Sequence, residues 1–213
     1  MFADIATIDG PPAAGKTTMA SLIAKELGLI HLDSGAIFRT ITLHCMRTGV
    51  NFNNPDEIIN SLNTLDIRVA CEKVFLDEED VSEEIRTVKV TNSVRYISHI
   101  PTIRNFVTSH QLSCAKNGGV ITDGRKVGTE VFPNAKVKFF LTADQNVRAK
   151  RRFLQQQKTN PDICFEDVLS DLKRREEYEV QNNVLLVPEN PIIIDNTNMT
   201  IEETLKVMVS YMV

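Results

Sequence analysis

The residues with the plainest chemistry are Gly10-Pro11-Pro12-Ala13-Ala14-Gly15-Lys16-Thr17, which satisfy the pattern Gly, four arbitrary residues, Gly, Lys, then Ser or Thr. Such a loop grips a polyphosphate. Its glycines let the backbone approach the anion's oxygens, successive N–H groups and a helix N-terminus point at them, and the lysine adds a point charge. At ordinary residue frequencies a random chain of this length would hold the pattern under roughly 1% of the time. The pattern also stands between the strand-like run Ile5-Ala6-Thr7-Ile8 and a helix-like run from Lys16 to Leu27, where the chemistry needs it. A nucleoside triphosphate site is therefore expected over Gly10 to Thr18.

A second set of residues suited to anions is a scatter of arginines: Arg39, Arg86, Arg104, Arg125, Arg148, Arg151, Arg152, Arg174 and Arg175. Charged residues on helices are mostly solvated faces. Here, however, Arg148, Arg151 and Arg152 share one helical face, and the polar segment Gln155 to Cys164, which contains Pro161, reads as a mobile flap between them and Arg174. Arginines flanking a flap near a triphosphate can clamp a transferring phosphoryl group, a reaction that needs charge neutralisation and positioning more than covalent help.

These side chains need a scaffold, and the hydrophobic pattern supplies one. Core strands are predicted at Ile5–Ile8, Leu29–Leu32, Val120–Asp123, Val137–Leu141 and Ile192–Asp195. Helical patterns separate them: Lys16–Leu27 closed by Gly28, a run from Ser34 to near Gly49, Pro55–Leu65, Asp80–Arg95, Pro101 to about Lys116, and a last helix bearing Ile201, Leu205, Val207, Met208 and Tyr211. Strands alternating with helices imply an α/β fold with a five-stranded parallel sheet covered by helices on both faces. From Asp66 the texture changes, and Ile67–Cys71 with Val74–Leu76 reads as a hairpin-like insertion. Ligands of such a sheet bind beyond the carboxyl ends of its strands. Those ends carry Asp9-Gly10, Asp33-Ser34, Asp123-Gly124-Arg125 and Asp195.

The chain has 213 residues, enough for one substantial core, and its 24 basic and 28 acidic residues leave a net charge of −4. That balance excludes a nonspecific nucleic-acid binder, which needs a positive footprint. No apolar run is long enough to span a bilayer, and the start Met1-Phe2-Ala3-Asp4 has no positive n-region, so neither a membrane anchor nor a signal peptide is expected. Cys45, Cys71, Cys114 and Cys164 form no C-x-x-C pair and fit reduced thiols of a cytoplasmic protein. The four histidines show no metal-binding spacing. With no heptads and no apolar surface stripe, a monomer is expected.

Several segments taken together resemble the bacterial cytidylate kinases. They are the phosphate loop, Leu32-Asp33-Ser34-Gly35-Ala36-Ile37-Phe38-Arg39, Glu79-Asp80-Val81-Ser82-Glu83-Glu84-Ile85-Arg86-Thr87, Asp123-Gly124-Arg125 followed by Gly128-Thr129, and Val131-Phe132-Pro133. Their order and spacing match from the first strand to the last helix. The resemblance implies a single P-loop nucleoside monophosphate kinase domain over residues 1–213, with a nucleotide-monophosphate-binding insertion at 66–100 and a closing lid at 155–165. It implies transfer of the ATP γ-phosphate to CMP or dCMP, with Mg²⁺ as cofactor. On the ATP side it places Gly10, Pro11, Pro12, Ala13, Ala14, Gly15, Lys16, Thr17, Thr18 and Arg151, with Thr17 also a ligand to Mg²⁺. On the acceptor side it places Arg39 and Arg125 on the phosphate, Ser34 and Arg104 facing the pyrimidine, Asp123, Gly124 and Lys126 beside them, Arg175 on phosphates and Glu179 on the ribose hydroxyls. Lys16, Arg125 and Arg175 are implied as the catalytic cations.

Departures from the family pattern cluster on the acceptor side. Lys126 stands where the pattern has Asp, Arg95 where a small hydroxyl residue is familiar, Asn182 about where the lid has arginine, Glu179 in place of Asp and Phe38 in place of Tyr. An ammonium cannot accept a hydrogen bond from cytosine's exocyclic amine. Either Lys126 and Arg95 turn outward and leave the base to Ser34 and Arg104, or the acceptor carries a carbonyl or an extra anionic group. A kinase of a small metabolite and a nucleotide-binding protein without turnover are the rival readings.

Overall fold

The computed structural model describes residues 5–70, 73–158 and 160–213. The start Met1–Asp4, Cys71 at the end of the expected hairpin strand, and Thr159 in the expected lid lie outside the described residues. The chain divides into two compact units, the N-terminal residues through Ile30 with Gly118–Val213, and His31–Asn117.

The first unit is built on parallel strands. β1 (Ile5–Asp9) is buried along its whole length, as a central strand covered on both faces must be. It pairs in parallel with β6 (Val120–Gly124) on one side and β7 (Val137–Thr142) on the other, and β7 pairs in parallel with β8 (Ile192–Asp195). With β2 (Ile30–Asp33) the sheet has the order β2-β6-β1-β7-β8, the expected five-stranded core. Its register matters for chemistry: Asp9 lies opposite Gly124, and Thr142 opposite Asp195, so the polar strand ends are brought level.

α1 (Lys16–Leu27) follows β1 and buries Met19, Ala20, Ile23 and Ala24, the i, i+4 stripe of an amphipathic helix. It stops at Gly28, whose φ of 67° is left-handed and whose N–H donates to Ala24 O. α8 (Ile201–Ser210) opens with a reciprocal capping box between Thr200 and Glu203. α6 (Gln145–Gln157) and α7 (Phe165–Gln181) are joined near their ends by an edge-to-face contact of Phe153 with Phe165, 5.9 Å between centroids. The helix α6 takes up residues 155–157 of the segment expected to be a flap, leaving the described residues 158 and 160–164 outside helix. Glutamine is a good helix former, and the run Gln155-Gln156-Gln157 continues the helix rather than ending it.

The second unit has its own core. α2 (Ser34–Arg47) and α5 (Pro101–Cys114) bury Ile37, Ile41 and Ile103 at 0% exposure, joined by Ile58 of α3 (Pro55–Ser61) and by Ile85 and Ile97. Each such side chain contributes about 1.5–3 kcal/mol by leaving water. β3 (Ile67–Ala70), β4 (Lys73–Leu76) and β5 (Glu79–Asp80) form a separate antiparallel sheet. The expected helix from Asp80 to Arg95 is instead a short strand, 3₁₀ turns at Glu84–Arg86 and Val94–Tyr96, and α4 (Val88–Ser93) between them. The break falls at Thr87, whose ψ of 151° is extended. Strand pairing also wins locally: Asp80 accepts from Lys73, from Ser82 N and from Ser82 Oγ, while Val74 N donates to Ser82 Oγ.

Candidate active site

The loop Gly10–Gly15 is held in shape by donors from three directions. Lys16 Nζ donates to Pro11 O at 2.7 Å, Arg148 to Pro12 O at 3.2 Å, and Asn196 Nδ2 to Ala14 O at 3.1 Å. In a trans peptide the C=O and the following N–H point in opposite directions. Fixing the carbonyls of Pro12 and Ala14 on protein donors therefore turns the N–H groups of Ala13 and Gly15 the other way, into a concave anion nest. Ala13 (φ 59°) and Gly15 (φ 94°) carry the left-handed backbone this requires. At Gly10 a Cβ would lie 2.1 Å from Leu141 O, so only glycine lets the loop leave β1 beside β7.

Lys16 is 6% exposed, and burial first, then repulsion from Arg125, holds its ammonium well below the usual lysine range, against the attraction of Asp123 and Glu179. Thr17 beside it is exposed, and its hydroxyl donates to Asp123 Oδ2 at 2.8 Å. A magnesium ion keeps several waters and takes one or two protein oxygens plus phosphates. The pairing of a threonine hydroxyl with a buried carboxylate fits that requirement. Among the described residues there is no group of three or more His, Cys, Asp and Glu able to cage a metal, so a metal here would need the ligand's own oxygens.

Next to the lysine lies a cation cluster organised by one carboxylate. Glu179, 5% exposed on α7, accepts from Arg125 Nε at 3.0 Å and from Arg175 Nε at 3.1 Å. Arg175 sits one helical turn before Glu179, so the pair is an i, i+4 contact, whereas Arg125 reaches it from the end of β6. Because Glu179 takes Nε of each guanidinium, their terminal nitrogens are not spent on it. The loop bearing Arg125 is itself pinned: fully buried Asp9 accepts from Val127 N and Gly128 N, each at 2.8 Å, and a Cβ at Gly128 would lie 2.7 Å from Thr7 Oγ1. Burial pushes the Asp9 carboxyl up, opposed by those two N–H groups.

Of the expected clamp arginines, Arg148 is corrected. It is 6% exposed and committed to Ala143 O, Pro12 O and Glu176, so it shapes the loop rather than standing ready for a ligand. Arg151 instead donates from both terminal nitrogens to Asn196, to Oδ1 and to the backbone O, each at 2.9 Å. Sequence reasoning stopped at Asp195 and missed Asn196. Nothing in its type marks it; only the fold places it beside Ala14.

In the second unit, Asp33 both caps α2, accepting from Ala36 N at 2.9 Å, and holds Arg39 at 3.0 Å. A Cβ at Gly35 would lie 2.9 Å from Arg39 Nη1, so glycine clears the path for that guanidinium, whose Nε is buried without a hydrogen-bond partner. Ser34 begins the same helix and Arg104 stands half-buried on α5, each with a partner inside the protein.

The departing residues also find places. Lys126 does not turn out into solvent: its side chain is 18% exposed and its ammonium pairs with Glu130 at 2.8 Å. Arg95 is exposed and lies over the Tyr96 ring, 4.9 Å from its centroid, while Asn182 folds back onto Tyr178 O at the end of α7. Cys45, Cys114 and Cys164 are free thiols, and among the described residues no helix is long and apolar enough to cross a membrane.

The family model described as cytidylate kinase matches residues 6–213. A cytidylate kinase of Caldanaerobacter subterraneus subsp. tengcongensis is 39% identical over 93% of this chain and 90% of its own length. One from Aeromonas salmonicida is 37% identical over 99% of this chain and 94% of its own. A crystal structure of an uncharacterized protein from Eubacterium ventriosum superposes with a TM-score of 0.54 at 11% identity, covering 98% of both chains, a likeness of fold alone.

Proposed function

The chain belongs to the cytidylate kinase family, and from that premise we propose that it moves the γ-phosphoryl group of ATP to CMP or dCMP, giving CDP or dCDP. The observation that carries this reading is the cation cluster on Glu179, which takes Arg125 at 3.0 Å and Arg175 at 3.1 Å beside Lys16 and the amide nest, with Asp9 and Asp123 as the further carboxylates. Glu179 takes only Nε of each guanidinium, which leaves their terminal nitrogens for incoming anions.

Phosphoryl transfer asks the protein for alignment and charge, not for a covalent partner. The acceptor phosphate is largely dianionic near neutral pH and needs no general base. Gly10 to Gly15 cradle the ATP phosphates with the N–H groups of Ala13 and Gly15, and Lys16 swings from Pro11 O onto a phosphate oxygen. Thr18 and Arg151 complete the ATP side. Thr17 and Asp123 would hold Mg²⁺, which when bound would offset the charge of the phosphates. Arg125 and Arg175, aligned by Glu179, hold the transferring and acceptor phosphates, and Glu179 keeps lone pairs for a ribose hydroxyl. Arg39 and Gly124 support the acceptor phosphate, and Ser34 and Arg104 read the base. Lys126, neutralised by Glu130, is compatible with a cytosine acceptor because its charge is already matched.

The reading extends to a nucleotide-binding insertion at 66–100, a lid at 155–165 that excludes water as a competing acceptor, a monomer and a cytoplasmic location. The test is ADP release with ATP and Mg²⁺ against a panel of CMP, dCMP, UMP and small phosphorylated metabolites. CMP- and dCMP-dependent release is expected; release only with a different acceptor, or binding of ATP without release, would overturn it.

A further inference from the structure

Asn196 is 4% exposed and sits directly after β8, yet every polar group it owns is committed. Its N–H donates to Thr142 O at 2.9 Å, tying it to the end of β7. Its side-chain amide donates to Ala14 O at 3.1 Å and accepts from Arg151 Nη1 at 2.9 Å, and its backbone O accepts from Arg151 Nη2 at 2.9 Å. Gly15, next along the loop, would place a Cβ 3.8 Å from Nδ2, an ordinary van der Waals distance, so the amide lies alongside the loop. A single amide thus joins the phosphate loop, the sheet and an arginine of α6.

We propose that Asn196 is a positioning residue for the nucleoside triphosphate: it sets the Ala14–Gly15 peptide and Arg151 as one piece, so that the Gly15 N–H and the guanidinium meet the phosphates together. The proposal rests on the triphosphate half of the reading above and not on the identity of the acceptor. The chemistry asks for an amide. A carboxylate would still accept from Arg151 but would face Ala14 O as acceptor against acceptor, and a serine is too short to reach both partners.

Asn196→Ala removes one hydrogen bond to a charged donor and one to a carbonyl, and the dissociation constant of Mg·ATP, read by calorimetry on the full chain, should rise by about tenfold or more. Asn196→Asp should fall between wild type and alanine, because it keeps the arginine contact and loses the loop contact. In steady state the KM for ATP should rise while the KM for the acceptor stays within about twofold. The double variant Asn196→Ala, Arg151→Ala should be less impaired than the product of the two single effects, since both break the same contact. Unchanged Mg·ATP affinity in a folded Asn196→Ala protein, an Asp variant no better than alanine, or equal changes in both KM values would overturn the proposal. Should Asn196→Ala fail to fold, the Asp variant carries the test: unchanged Mg·ATP affinity in it would sink the proposal. A protein that binds Mg·ATP through Asn196 but phosphorylates no CMP would refute the acceptor assignment alone.

Discussion

The phosphate loop of the first unit and the Asp33–Arg39 turn of the second each carry a cation that we propose meets a phosphate, but they are fixed in opposite ways. Around the loop, Pro11, Pro12 and Ala14 carbonyls are held by Lys16, Arg148 and Asn196, and two of those partners lie more than 130 residues away in sequence. At the turn, Asp33 alone caps the helix at Ala36 and orients Arg39, all within six residues. The first is set largely by tertiary structure, through residues that the fold brings to the loop. The second is a local device that a single change can undo.

That contrast can be broken or sharpened by substitution. The largest effect is expected for Lys16→Ala, which should lower kcat/KM by about 10³ or more by removing the charge on the transferring group. The same change should hold or raise the melting temperature of the unliganded protein, since a buried ammonium is costly. A large loss of stability with only mild loss of turnover would reverse the assignment. Gly10→Ala should destabilise the fold by about 2–4 kcal/mol, because the new methyl group would overlap Leu141 O, and would be read as a lower denaturation midpoint. Asp33→Ala should cost about 1–2 kcal/mol through the lost cap, and it should raise the acceptor's KM several-fold while leaving Mg·ATP affinity in place. An equal loss on the ATP side would show that the turn is not the independent device described here.

Lys126→Ala is expected to change the CMP-to-UMP preference by less than about fivefold, as a charge already paired with Glu130 has little left to discriminate with. A switch in preferred base would show the ammonium facing the acceptor. The smallest effect concerns pH. Burial and Arg125 lower the pKa of Lys16, and bound phosphates raise it again, so binding takes up protons wherever the free lysine is partly neutral. Affinity for Mg·ATP should then weaken as pH rises through that lowered value, with proton uptake visible as a buffer-dependent binding enthalpy. Proton release on binding would contradict the sign.

The same contrast explains what the sequence made legible. The loop, its flanking strand and α1 were readable because glycine spacing and apolar period are local, and the five parallel strands followed from the same alternation. Asp33-Ser34-Gly35 to Arg39 was readable for the same reason. The helical face of Arg148 suggests a clamp, and nothing in the sequence marks Asn196, since both act through contacts that the β1–β7–β8 register creates. Glu130 stands at i+4 from Lys126, but no helical turn is predicted over Val127–Val131, so the sequence does not bring the two together. The helix expected at Asp80–Arg95 failed where β5 and Thr87 imposed extended backbone on helix-forming residues.

The most direct measurement is initial-rate ADP production by the purified protein with ATP and Mg²⁺, CMP present or absent, run beside Lys16→Ala. Turnover that rises by orders of magnitude on adding CMP and collapses with the lysine is the predicted result. Turnover indifferent to CMP, or equal in the two proteins, would contradict it.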